Sequence, residues 1–389
     1  MAAVDDVAHY RWRTTLQTTL KKQPIYSWSS VHYFAANMAP QQQKAIILPE
    51  KFADFIVGNR PVPSPGPGFV LVKIIAAALN PCDNYIQKYD VFVPEYPAVV
   101  GCDGAGIVEA VGEGVRNLQV GDKVLYQSHW TADRCALQQY GLADACRIAK
   151  IPGNLSFEEA ATIPSGLATA ALGMYAKKSA RGGAELRPPW EGGMGRYSGQ
   201  AMLVIGGSSS VGQFAIQLAR LSGFSPIITT ASARNEAYCK AAGATHVMDY
   251  NVVPYAELPA AVKAITGGPV PFVYDAISLS ESQKASWETL APNGFVVITL
   301  TPEVGKPGAE AEDGKRTVWV FGMVHDEEHQ EMGGRMYSKL TDLLASGVLK
   351  PNKVELVPYG LAGVPAALDR LRAGKVSGVK LVAHPQESE

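Results

Sequence analysis

Neither sign of charge prevails in this sequence. Lys and Arg number 35 against 36 Asp and Glu, a formal net charge of −1, so no overall field favours nucleic acid or an anionic membrane. Long apolar runs are missing as well: the stretch near Ile74 to Leu79 stops far short of the roughly 20 residues a bilayer span needs. Neither a membrane nor a nucleic-acid partner is expected. Cysteine is scarce. Five in 389 residues, at 82, 102, 135, 146 and 239, form no CxxC pair and are too few for a disulfide scaffold, which points to a reducing compartment. Residues 1–37 lack the continuous apolar core of a secretory signal, so the acceptor pattern Asn154-Leu155-Ser156 carries no weight. The expected location is cytoplasmic. A mitochondrial one follows if residues 1–37, with Arg11, Arg13, Lys21 and Lys22, form a targeting segment, against which Asp5 and Asp6 count.

What is present is an ordinary globular composition, 47% hydrophobic and 18% charged, in a chain long enough for two or three domains. After an appended stretch over 1–37, Met38-Ala39-Pro40 looks like a start of its own. Residues 38–165 read as short β-type runs broken by Gly and Pro, such as Phe69 to Ile74 and Gly106 to Val111. From 166 to 325, apolar strands (Ala201–Ile205, Pro226–Thr230, Phe272–Asp275, Phe295–Leu300) alternate with helical stretches, the pattern of a parallel sheet covered by helices. Residues 326–389 give one more helix and short strands ending at Val379–Val382, a return to the first domain. Gly182 to Gln200 is a long irregular insertion, expected together with loops at Val91–Pro97 and Gln127–Asp133 to shape a cleft.

The strongest local signal is Ala201-Met202-Leu203-Val204-Ile205-Gly206-Gly207-Ser208-Ser209-Ser210-Val211-Gly212: a buried strand, a small-residue turn and a helix. Small residues let backbone amides approach a pyrophosphate, and the helix N-terminus favours its charge. Ser209 and Ser210 stand where glycine is common, so the turn is a variant that spacing alone leaves open to a ligand-free reading. At the end of the second strand, Thr229-Thr230-Ala231-Ser232-Ala233-Arg234 offers no acid for ribose hydroxyls; Ser232 and Arg234 suit a 2′-phosphate instead. NADPH is favoured over NADH, the alternative for Arg234 being a solvated cation, and Asn235 and Glu236 being placed to modify the preference.

Together with Asn80-Pro81-Cys82-Asp83, Gly101-Cys102-Asp103-Gly104-Ala105-Gly106, Val120-Gly121-Asp122-Lys123-Val124, Glu158 to Pro164 and Gly243 to Val247, this turn resembles the successive signatures of the medium-chain dehydrogenase/reductase superfamily over residues 44–384. It is similar in particular to the zinc-free quinone oxidoreductase and enoyl reductase branch, and to the fungal trans-acting enoyl reductases of polyketide pathways. The resemblance implies an α/β protein with a GroES-like, β-rich substrate domain formed from both chain ends and a Rossmann domain between them. It places Ala276, Ile277, Leu300, Phe321 and Met323 near a nicotinamide, Ser208, Ser209, Ser210 and Val211 at the pyrophosphate, and Asn80, Thr169, Ser232, Arg234 and Tyr250 at other cofactor contacts.

Zinc-dependent relatives need Cys and His ligands with an open position. Here the first-ligand position is Asn80 and the His-Glu pair is Cys102-Asp103, so no metal is expected; Cys82 and Cys102 read as buried small residues. His325-Asp326-Glu327-Glu328-His329 formally matches a metallopeptidase pattern but reads as a solvated acidic loop. His129 lines the cleft or serves a structural or surface role. Hydride delivered to an alkene conjugated to a carbonyl leaves charge on the oxygen, and a preorganised donor there contributes about 3–4 kcal/mol. Tyr85 is the candidate for that role, with packing as its other reading; Tyr89 and Thr162 are weaker. Fungal relatives tend to carry lysine at the Tyr85 position. The expected activity is NADPH-dependent reduction of a small enone or enoyl substrate by a monomer or homodimer, with quinone reduction or a catalytically silent NADPH-binding sensor as alternatives.

Overall fold

Proline and glycine clusters cut the first third of the chain into short strands, and the computed structural model, which describes residues 39–388, shows how they assemble. The extension expected over 1–37, with its targeting reading, lies outside the described residues. In chain order come β1 (Gln42–Leu48), β2 (Ile56–Pro61), β3 (Phe69–Ala78), α1 (Pro81–Tyr89), β4 (Ala98–Val99), β5 (Asp103–Val111), β6 (Lys123–Gln127), β7 (Tyr140–Asp144) and β8 (Ile148–Lys150). α2 (Phe157–Ala161) and α3 (Pro164–Tyr175) lead out of this domain. α2 starts on a capping box in which Ser156 and Glu159 each bond the other's backbone, satisfying two helix-end donors.

The next segment alternates: β9 (Met202–Ile205), α4 (Ser210–Ser222), β10 (Ile227–Ala231), α5 (Glu236–Ala242), β11 (His246–Asp249), α6 (Leu258–Thr266), β12 (Val270–Asp275), α7 (Ser280–Thr289), β13 (Leu290–Ile298) and β14 (Arg316–Trp319). All six strands are parallel in the order β11-β10-β9-β12-β13-β14. That is the dinucleotide-fold order, which reverses direction beside β9 and leaves a crevice at the strand C-termini. A parallel sheet covered on both faces must be apolar throughout, and every residue of β9 is buried. On α4, Phe214, Ile216 and Leu218 are fully buried, each stabilising the fold by about 1.5–3 kcal/mol.

The chain then returns through α8 (Gln330–Ala345), β15 (Val354–Leu356), α9 (Val364–Arg372) and β16 (Lys380–Ala383). β16 pairs antiparallel with β3 and parallel with β15, so both ends of the chain build one seven-stranded sheet. The architecture is a GroES-like domain joined to a Rossmann domain. No helix among the described residues is long and apolar enough to cross a membrane.

Three segments differ from expectation: the returning stretch holds a second helix, α9, besides α8, and two others depart further. The insertion Gly182–Gln200 packs on the C-terminal ends of α3 and α4: Trp190 meets Tyr175 edge-on at 5.5 Å, and Tyr197 stacks on Phe224 at 5.1 Å. α4 is 13 residues long, about 20 Å at 1.5 Å per residue, so the insertion lies far from the turn at the helix N-terminus and does not shape the cleft there. The loop before α8 is not solvated at its histidines: His325 is 7% and His329 1% exposed. α8 begins only at Gln330, so the two rings do not share a helix face as the metallopeptidase pattern requires.

Candidate functional site

Six parallel strands deliver six loops to one edge, and most of the candidate cofactor residues lie on those loops. Ser208 to Val211 follow β9, Ser232 and Arg234 follow β10, Tyr250 follows β11, Ala276 and Ile277 follow β12, Leu300 follows β13, and Phe321 and Met323 follow β14. With strands about 4.8 Å apart, the row from β10 to β14 runs roughly 19 Å.

The turn after β9 has the shape its small residues suggest. Gly206 adopts φ +79°, open to glycine without strain, and a Cβ on Gly212 would lie 2.2 Å from the Gly206 carbonyl oxygen. The Ser209 hydroxyl caps α4 by accepting from Gly212 N at 3.0 Å, while Thr230 Oγ1 accepts from Gly206 N at 3.0 Å. Ile277 sits directly over Gly206, so the β9 and β12 loops touch where the strand order reverses. Asp275 is wholly buried and accepts from the backbone of Ile277 and Ser278 and from the Ser282 hydroxyl; burial pushes its carboxyl up to about 6.

At the β10 end, Ser232 Oγ accepts from Asn235 Nδ2 at 3.1 Å. Arg234 is exposed, with no ion pair or hydrogen-bond partner among the described residues. Of the acids close by, Glu236 pairs with Lys240, and Asp249 went unremarked in the sequence because it belongs to β11. Its carboxylate bonds Asn251 and the backbone N of Ala233, which holds it below the usual range.

Thr169, on α3, packs against Gly322: a Cβ there would lie 2.1 Å from its hydroxyl. That contact ties α3 to the Phe321–Met323 loop, whose Met323 is buried. Gln127, expected only as the start of a cleft-shaping loop, pins the same loop. Its amide donates to Gly322 O at 2.7 Å and accepts from Val324 N at 2.9 Å. His325 Nε2 donates to the Gln127 carbonyl at 2.7 Å, leaving Nδ1 to accept from Arg134 and Arg147. Burial and the Arg134 charge push His325 down to about 3, and burial with Arg134 pushes His129 down to about 4, so both rings are neutral.

The substrate-domain wall is organised around Asn80, the N-cap of α1. Its Nδ2 donates to Asp103 Oδ2 at 2.9 Å, and its Oδ1 accepts from Lys380 Nζ at 2.5 Å. The amide expected to touch cofactor is therefore committed to protein partners. Lys380 also pairs with Asp103 at 3.2 Å, 6% and 0% of the two side chains being exposed, and Asp103 Oδ1 accepts from Ser165 N in the first turn of α3 at 2.7 Å. Lys380 had one sequence signal, a charge inside the apolar strand Val379 to Ala383. Asp83 accepts from Asn80 N and Gly101 N, and burial pushes it up to about 7. Cys82 and Cys102 stand with their sulfurs 3.4 Å apart.

Tyr85, one turn along α1, is partly buried beside Tyr89 at 6.0 Å. Burial, then Cys82 and Tyr89, raise its phenol above the ordinary value, which keeps it a proton-bearing donor. Phe92 stacks on Trp130 at 4.8 Å and lies 6.0 Å from Phe321, so the two substrate-domain loops meet the β14 loop in an aromatic wall. Thr162 is fully buried, donating to Glu159 O, and does not face the cleft.

Comparison with known proteins follows this division. The alcohol dehydrogenase GroES-like domain matches residues 66–177 and the zinc-binding dehydrogenase family residues 210–328. Trans-enoyl reductase RAP2 of Pyricularia oryzae is 31% identical over 368 residues, 88% of this chain and 98% of that protein. Trans-enoyl reductase ccsC of Aspergillus clavatus is 32% identical over 365 residues, covering 88% and 96%. The quinone oxidoreductase structure from Coxiella burnetii superposes with a TM-score of 0.66 at 26% identity, over 88% of this chain and 98% of that one. With both domain families matched in chain order and relatives above 30% identity along most of its length, the chain belongs to the medium-chain dehydrogenase/reductase superfamily, as a reductase of its quinone oxidoreductase and enoyl reductase branch.

Proposed function

We propose that this reductase uses NADPH to reduce a carbon–carbon double bond conjugated to a carbonyl, without zinc. The observation that carries the cofactor choice is the exposed Arg234 beside Ser232 at the end of β10, without an ion pair among the described residues, while the nearby Asp249 carboxylate is engaged by Ala233 N and Asn251. A guanidinium free to form charge-assisted bonds favours a 2′-phosphate. The close-packed Gly206–Gly212 turn, with Ser209 capping α4, supports a pyrophosphate at the helix N-terminus.

A bound nicotinamide would supply a hydride to the β-carbon, leaving negative charge on the substrate carbonyl oxygen, and a proton taken from water at the α-carbon would complete the reduction. Tyr85, held protonated by its surroundings, is the donor assigned to that oxygen. Phe92, Trp130 and Phe321 offer flat apolar faces to an unsaturated substrate.

The donor chemistry supports a metal-free site. Cys82, Asp83 and Cys102 bring ligand atoms within 4.8 Å of one another. Yet each Asp83 oxygen already accepts a backbone N–H, and the Lys380 ammonium lies against Asn80, adding positive charge to the same pocket. The bond from Cys102 lowers the Cys82 thiol, but burial and the carboxylates of Asp83 and Asp103 outweigh it; Cys102 is raised well above its ordinary value by its bond to Cys82 and by burial. These residues do not suit a zinc ion, which needs thiolates and an uncommitted carboxylate.

A second reading, quinone reduction, is favoured by the Phe92–Trp130 stack, which suits a planar ring. Stopped-flow NADPH oxidation with enones, enoyl thioesters and quinones separates the two. Turnover of enones or enoyl thioesters is expected; turnover of quinones alone overturns the first reading.

A further inference from the structure

The chain returning to the substrate domain lies along one flank of α4. Arg220 donates to Val348 O at 3.2 Å; Gln217 donates to Lys350 O at 3.2 Å and accepts from Lys350 N at 2.8 Å. Two residues on, at the N-terminus of the helix, Asn352 Nδ2 donates to Ser210 Oγ at 2.7 Å. The returning segment thus ends against the turn assigned to the pyrophosphate.

The orientation of the Asn352 amide is fixed by its neighbours. Asn352 is 4% exposed. Nδ2 also faces the carbonyl of Thr162 at 3.2 Å, and a carbonyl only accepts, so the nitrogen must point there; Oδ1 accepts from the Tyr238 hydroxyl at 3.3 Å, and Asn352 N donates to Thr162 Oγ1 at 3.0 Å. Flipping the amide would set its oxygen against Thr162 O. Ser210 Oγ is therefore the acceptor of its bond with Asn352, and its own proton is left to point elsewhere. The α3 side is tight: a Cβ on Gly166 would lie 2.6 Å from Ser210 Oγ.

We propose that Asn352 is a positioning residue for the cofactor: its amide occupies a lone pair of Ser210 so that the hydroxyl proton is aimed at the pyrophosphate. This rests on the nucleotide site proposed above, and it makes the returning substrate-domain segment part of the phosphate-binding apparatus.

The test is a double-mutant cycle of Asn352→Ala and Ser210→Ala, with affinities for NADPH and for adenosine 2′-monophosphate, which lacks the pyrophosphate. One neutral hydrogen bond corresponds to a loss of about threefold to tenfold. Asn352→Ala is expected to weaken NADPH by that factor, to leave adenosine 2′-monophosphate within about twofold, and to add less than about twofold once Ser210 is alanine. With NADPH varied, its KM rises by that factor and kcat falls by less than KM rises. Asn352→Ser, which keeps a small polar side chain without the amide, replaces Asn352→Ala in the cycle if the alanine variant fails to fold. Equal losses with and without Ser210, or equal losses for both nucleotides, overturn the inference while leaving the nucleotide site standing. A wild-type protein that binds neither nucleotide overturns both.

Discussion

Along the cofactor edge, neighbouring residues in the sequence do the work: Gly206 to Val211 form a single turn, and Ser232 and Arg234 lie two residues apart at the next strand end. On the facing wall, Asn80 is held by Lys380, 300 positions away, and by Asp103. The first region needs only a strand to end and a helix to begin. The second exists only when β16 has returned to pair with β3. Local geometry thus sets most of the cofactor edge, with Asn352 on Ser210 as a long-range contact to it, whereas long-range pairing sets the shape of the substrate side.

The largest expected effect is on the long-range wall. Lys380→Met leaves the buried Asp103 carboxylate without its cation, a change that typically costs about 3–5 kcal/mol. Chemical denaturation is expected to show a loss of that order; a midpoint unchanged from wild type would mean that the pair does not hold the wall. Next comes Tyr85→Phe, which removes one donor from the substrate oxygen. A fall in kcat of about 100-fold is expected, with NADPH affinity unchanged; steady-state kinetics at saturating NADPH reads it, and wild-type turnover would return Tyr85 to a packing role.

The smallest effect concerns His325, on the loop between β14 and α8. His325 has a folded pKa of about 3, below its ordinary 6.5, so its neutral form is favoured in the folded state. Its contribution is present above about pH 6.5 and is lost as pH falls toward the folded value. Between pH 7 and pH 5, wild type should lose roughly 1–2 kcal/mol more stability than His325→Gln. Parallel pH profiles for the two proteins would show that the ring does not titrate this way.

Much of the fold was legible because its signals are contiguous. The apolar strands Ala201–Ile205 and Phe272–Asp275 could only be buried parallel strands with the turn chemistry around them, and the β14 loop at Phe321 followed from the family pattern. The substrate wall was less legible. Asn80 was expected at the cofactor, but its amide is consumed by Lys380 and Asp103, a contact that depends on strand pairing and not on spacing. Gln127 gave no sign of its pinning role for the same reason: its partners, Gly322 and Val324, lie on a loop from the other domain. The Trp190 insertion misled because length alone suggested a functional loop, whereas its aromatic residues fill the space beyond the ends of α3 and α4.

The central claim is that a phosphorylated nicotinamide nucleotide lies along the strand ends with its 2′-phosphate at Ser232 and Arg234. Titration calorimetry of NADPH and NADH against wild type and Arg234→Ala tests it most directly. Wild type should bind NADPH more tightly than NADH, and Arg234→Ala should weaken NADPH by about 10–100-fold, as expected for a charge-assisted bond, while leaving NADH unchanged. Equal affinities in wild type, or an equal loss for both nucleotides in the variant, would contradict the account.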